Sequence, residues 1–162
     1  MRALHAAHAF DGTRFLPGGG TVLLDGDRIV GVEPGRAEPP EAVEVTAYAG
    51  TVLPGLIDCH THLVADATFG GLERAGSMPP EAIDTVIDMS LRAHAAAGVT
   101  TVRDLGDRDY RTLGFRAVPG LPRVVAAGPP LTTPGGHCHF LGERWKATSG
   151  RRSPSTASVA ST

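Results

Sequence analysis

Two histidines stand one residue apart in GTVLPGLIDCHTHL, residues 50–63, directly after an apolar run that Pro54 and Gly55 interrupt. Side chains at i and i+2 of a strand point to one face, so a strand through this stretch projects His60 and His62 together. Neutral imidazole is a favoured ligand of zinc and similar divalent ions. The His-x-His spacing brings two nitrogen donors to one place without rearranging a loop. Parallel α/β folds place their sites at the C-terminal ends of strands, where this pair would sit. Asp58, two residues earlier, could share their side of the strand. The plain alternative is a pair of surface polar residues that happen to end a strand.

The surrounding pattern says what would carry the pair. Residues 1–50 read as short strands joined by tight turns. FLPGGG is a turn, TVLLDGDRIVGVEP places an Asp-Gly step between apolar runs as a hairpin does, and EAVEVTAYAG alternates as one more strand. An antiparallel β unit is expected there. From Thr51 the pattern changes to strand, helix, strand. Val52–Ile57 is a short apolar run. MPPEAIDTVIDMSLRAHAAAG then carries prolines where a helix begins, Ile83, Ile87, Ser90 or Leu91, and His94 recurring at helical spacing, and Gly98 where the helix would end. VTTVRDLG is β-branched and short, as a buried parallel strand should be. A weaker helical stretch, YRTLGFRAV, precedes a third strand, RVVAAG. Three strand-helix repeats in series predict a parallel sheet or barrel, because each parallel return needs a crossover. Asp104, at the end of the second of these strands, is read as fixing a turn or capping a helix rather than as a catalyst.

Composition narrows the function classes. The 162 residues are 41% hydrophobic, enough for one ordinary domain. A net charge of −2 with dispersed arginines gives no footprint for nucleic acid. The N-terminus lacks the apolar core of a signal peptide, and no run approaches the roughly 18 apolar residues of a membrane span. A soluble, cytoplasmic chain without membrane or nucleic-acid partners is expected, with Cys59 and Cys138 as free thiols. Fourteen arginines against the single Lys146 point to a GC-rich coding sequence. After Leu141 the sequence turns to Ser, Thr and Arg without apolar periodicity, so residues 143–162 are expected to be disordered. Under GC-rich codon usage, an alternative frame from Gly142 can read as an acidic helix followed by GVDV. A frameshifted tail is therefore a reading that the coding DNA decides.

PGLIDCHTHL resembles the signature of the amidohydrolase superfamily, metal-dependent hydrolases on a (β/α)8 TIM-type barrel carrying a small β-sandwich. With PGLID in front, the metal reading of His-x-His outweighs the plain one. AHAAAGVTTVRDLG and GPPLTTPGGHCHFLG further resemble the second and third barrel units of the subgroup of imidazolonepropionase-like enzymes and Xaa-Pro or Xaa-Arg dipeptidases. The resemblance implies an α/β fold in which residues 1–50 are a β-sandwich segment, 51–142 are the first three βα units of the barrel, and 143–162 are the tail. It implies a zinc or other divalent cofactor, an activated water that breaks a C–N bond, and a small-molecule amide or dipeptide substrate. His60 and His62 take the places of the first two metal ligands. His137, in GGH, matches a position facing the mouth and could touch substrate, with a polar loop residue as the equal alternative. The family completes its site with a lysine or glutamate, two more histidines and a catalytic aspartate from later strands, none of which has a counterpart here. Lys146 lies in the polar tail. No catalytic residue is therefore assigned, and the chain is expected to be a truncated, inactive form. The alternatives are a non-catalytic fragment and one half of a split enzyme that pairs with a complementing chain or a second copy.

Overall fold

A computed structural model describes residues 1–39 and 43–142, and the tail expected at 143–162 lies outside the described residues. The chain divides into two compact units after Gly55. In the first, β1 (Arg2–Ala9), β2 (Gly20–Asp25), β3 (Arg28–Pro34) and β4 (Glu44–Val52) form one sheet in the order β3-β2-β1-β4. The hairpin at Asp25-Gly26-Asp27 is present, pairing Asp25 with Arg28, and Gly26 takes the positive φ of 58° that mirror-image hairpin turns require. The sheet is not purely antiparallel as expected. β1, which the sequence had not singled out, pairs antiparallel with β2 but parallel with β4, Arg2 opposite Glu44. The residues 35–43 that separate β3 from β4 in sequence are more than a two-residue hairpin needs, so β4 can return beside β1 in the same direction.

The apolar run at Val52–Ile57 is not one strand. β4 ends at Val52 and β5 begins at Leu56. Pro54 between them has no N–H to give a ladder.

The second unit is built on β5 (Leu56–Thr61), β6 (Val99–Asp104) and β7 (Arg123–Ala126), all parallel in the order β5-β6-β7. A mixed α/β arrangement follows: α1 (Gly71–Ala75) and α2 (Pro80–Ala96) connect β5 to β6, and a short 3₁₀ helix, Arg111–Phe115, connects β6 to β7. α2 starts on Pro80, whose missing N–H is one the first turn leaves unbonded anyway, and stops before Gly98 at φ +83°. Its Ile83, Ile87 and Leu91 are fully buried in one core with Leu63, Val64, Val102 and Val124. This packing fixes α2 behind the strands. The expected helix at YRTLGFRAV is only a 3₁₀ turn, entered through Tyr110 in the left-handed region at φ 58°. Gly114 within it and Pro119 just beyond discourage a longer helix. Among the described residues no helix is long and apolar enough to cross a membrane.

Candidate metal centre

His60 is the penultimate residue of β5 and His62 follows its end, with ring centroids 5.5 Å apart and an edge-on angle of 74°. His60 is exposed and His62 partly buried. The two imidazoles therefore stand together at the C-terminal end of a parallel strand.

The ladder shows how the chain turns them there. Asp58 lies opposite Val102, and Thr61 lies opposite Asp104, so three residues of β5 span two of β6. Val102 and Asp104 share a face and are fully buried. Asp58 and Thr61 belong to that face, and the bulge resets the alternation between them. Asp58 consequently does not share the side of the histidines, contrary to the expectation from spacing. Its Oδ1 accepts the N–H of His60 at 3.0 Å, and its Oδ2 lies 3.2 Å from Nε2 of His94 on α2. The His60 amide, followed by the burial-opposed contribution of His94, holds the Asp58 carboxyl below its ordinary value.

His62 is held from the other side. Its Nδ1 donates to the carbonyl of Gly106 at 3.1 Å, since a carbonyl can only accept. This leaves the Nε2 lone pair free, the tautomer that metal-ligating histidines adopt when their other nitrogen is bonded to a carbonyl. Directly after it, the Leu63 N–H donates to Oδ2 of Asp104 at 2.8 Å, while the Gly106 N–H donates to Oδ1 at 3.1 Å. Burial pushes the Asp104 carboxyl above its ordinary value, and these two amides oppose the shift. Asp104 is thus a buried brace between the segment carrying the histidines and the loop after β6.

His137 is exposed in a turn after β7, and among the described residues no hydrogen bond joins it to either imidazole. The loop after β7 comes near Gly106 instead: a Cβ built on Gly106 would lie 3.8 Å from Pro130 Cδ and 3.3 Å from His62 Nδ1. Cys59 is exposed and Cys138 buried, both as free thiols. Among the described residues no group of three or more His, Cys, Asp or Glu could hold a metal ion. The donor chemistry of His60 and His62 fits two ligands of a divalent ion. Sequence reasoning missed two contributors. Gly106 acts through its carbonyl, which no side-chain pattern reveals, and His94 had been placed only on the apolar stripe of a helix.

A parallel sheet with a histidine pair at one strand end defines an α/β protein with two donors for a divalent ion, and comparison with known proteins makes the class specific. Residues 51–160 match the model of the Amidohydrolase family. The chain belongs to that family. It is 47% identical over 111 residues to an imidazolonepropionase of Yersinia pestis (strain Pestoides F), covering 67% of this chain and 26% of the relative. A crystal structure of a Xaa-Pro dipeptidase with bound methionine in the active site superposes with a TM-score of 0.69 at 24% identity, covering 85% of this chain and 36% of that one. A prolidase complexed with N-methylphosphonate-L-proline gives a TM-score of 0.65 at 29% identity, covering 84% and 34%. The chain thus spans about a quarter of the length of the curated relatives it matches. These relatives are enzymes with small-molecule substrates, and the family generally uses divalent metals.

Proposed function

We propose that this chain carries the first part of a metal-dependent amidohydrolase site acting on C–N bonds of small amides or dipeptides, with His60 and His62 as ligands of zinc or another divalent ion. The observation that carries the reading is the convergence of the two imidazoles, with the Nδ1 proton of His62 engaged by Gly106. In this reading, β5, β6 and β7 with their connections are the first three βα units of a TIM-type barrel. Residues 1–50 are the preceding β-sandwich segment, 51–142 the barrel part and 143–162 a tail.

When bound, the ion supplies Lewis acidity that lowers the pKa of a water to near neutrality and polarises a carbonyl. His60 and His62 hold it at the strand end, Asp104 keeps the following backbone in place, and His137 contacts the substrate from the loop after β7. Catalytic zinc sites usually take three protein ligands plus water. The two imidazoles brought together here would bind metal weakly, and hydrolysis by the 162 residues alone would be undetectable.

The test is a cobalt(II) or zinc titration of the chain and of His60→Ala, alongside release of free amine from dipeptides. Weak binding abolished by His60→Ala, without turnover, is expected. Binding that His60→Ala leaves unchanged would remove the metal reading, and metal-dependent turnover would overturn the claim of inactivity.

A second reading, in which a complementing chain or a second copy pairs with this one, is favoured by the open edges of the sheet: β5 and β7 each have one neighbour strand among the described residues.

A further inference from the structure

His60 and His62 are held by different means, and the difference exposes a residue outside the histidine pair. The His62 ring is fixed directly by the Gly106 carbonyl. His60 falls within the bulge, where the ladder to β6 pairs Asp58 and then Thr61 but neither residue between them. Its amide is satisfied by the Asp58 carboxylate instead of by a neighbouring strand. The backbone that presents His60 is therefore as fixed as that carboxylate is. Asp58 is a part-exposed side chain with two rotatable bonds, and on its own it would spend part of its time in other rotamers.

What locks it comes from α2. His94 Nδ1 donates to the Ser90 carbonyl one turn earlier, at 2.7 Å, which sets the plane of the ring. That orientation points Nε2 at Asp58 Oδ2, 3.2 Å away, with the His94 side chain only 20% exposed. Both ring nitrogens face acceptors, the Ser90 carbonyl and the Asp58 carboxylate. A charge-assisted contact to a carboxylate is stronger than a neutral one. α2 is itself anchored by Ile83, Ile87 and Leu91 in the core. A rigid helix thus reaches the candidate ligand through a ring, a carboxylate and an amide.

We infer that His94 is a positioning residue for the candidate metal site: by bonding Asp58 it fixes the bulged turn that presents His60. The relevance to metal rests on the proposed function above, whereas the effect on the turn does not.

The experiment uses the whole chain with three sequences at position 94. His94→Leu keeps an apolar side chain of comparable bulk and removes both donors, and His94→Gln keeps one donor within reach of Asp58. The first readout, without metal, is the exchange rate of the His60 amide by NMR. The second is cobalt(II) titration followed by visible absorption. His94→Leu should speed His60 exchange about fivefold, the effect of losing support for one hydrogen bond. It should also weaken cobalt binding about tenfold and alter the absorption band, as loss of an outer partner does. His94→Gln should recover most of both. Wild-type exchange at His60 in His94→Leu would overturn the inference. So would equal acceleration at Leu63 and Leu105, which would mean general loosening instead of positioning. Absence of cobalt binding by the unaltered chain would tell against the metal reading alone, and His60 exchange would still decide the role of His94.

Discussion

At the scale of single residues, the space around His62 is set by what Gly106 lacks. A Cβ at that position would sit 3.3 Å from Nδ1 and 3.4 Å from Cε1 of the ring. Those distances are tighter than ordinary carbon contacts, so the ring would have to yield by a few tenths of an ångström. The Gly106 carbonyl is also the acceptor that fixes the tautomer, and shifting the ring weakens that bond. Gly106→Ala should therefore lower cobalt affinity about tenfold, the lower end of the range for outer-partner losses, while leaving the urea midpoint nearly unchanged. Gly106→Val should abolish binding. Affinity unaltered in both variants would show that the Gly106–His62 contact does not shape the site. Asp104 shows the opposite economy. It takes two backbone donors from different segments, and a buried carboxylate in that position is retained for what it bonds to despite the desolvation that raises its pKa.

Among the elements, the loop between β5 and α1 is braced by one arginine. Arg74 donates through Nη2 to both oxygens of Asp66, at 2.7 and 2.8 Å, and through Nη1 to the Phe69 carbonyl at 2.8 Å. The Arg74 guanidinium, with help from Thr68, holds the Asp66 carboxyl well below the usual carboxylate range. The sign follows from linkage. With the folded pKa depressed, the brace contributes fully above the ordinary value of 3.8 and is lost only as pH falls through the lower folded value. The pair is exposed, so its effect is on local order more than on global stability. In a carbon-detected NMR titration, Asp66 should stay ionised below pH 3.8, and Arg74→Ala should raise its midpoint toward that value, with the Thr68 bonds keeping it somewhat below. An ordinary midpoint in the unaltered chain would contradict the brace. How far such elements are legible beforehand depends on whether their causes are local. α2 was readable because its prolines, its stripe through Ile83, Ile87 and Ser90 or Leu91 and the Gly98 beyond its end all lie within or beside the element. His-x-His was readable for the same reason. The direction of β4 beside β1 and the side taken by Asp58 were not, because each depends on a partner strand far away in sequence. His94 stood at a helical repeat, but its partner Asp58 is 36 positions away.

For the molecule as a whole, the decisive feature is a parallel sheet whose two outer strands are each paired on one side among the described residues. Unpaired strand edges are templates for further pairing, and natural proteins cover, charge or shorten them. Here β5 has no charged residue other than Asp58, whose carboxylate is turned to His60 and His94. Ile57 remains 65% exposed, Leu56 47% and Val125 44%. Ile57 stands opposite Thr101, a position whose neighbours in the ladder alternate with the buried face that α2 covers. Apolar side chains left in water beside an open edge favour association, through burial worth about 25 cal/mol per Å² before the entropic cost of joining two molecules. The chain should therefore self-associate as its concentration rises, with the weight-average sedimentation coefficient increasing across a dilution series. Ile57→Lys places a charge beside the edge and should hold the chain monomeric without disturbing the core of Ile83, Ile87 and Leu91. A concentration-independent monomer would mean that the edge is already protected, which would remove support for pairing with a second chain. Association that Ile57→Lys leaves intact would instead place the interface elsewhere.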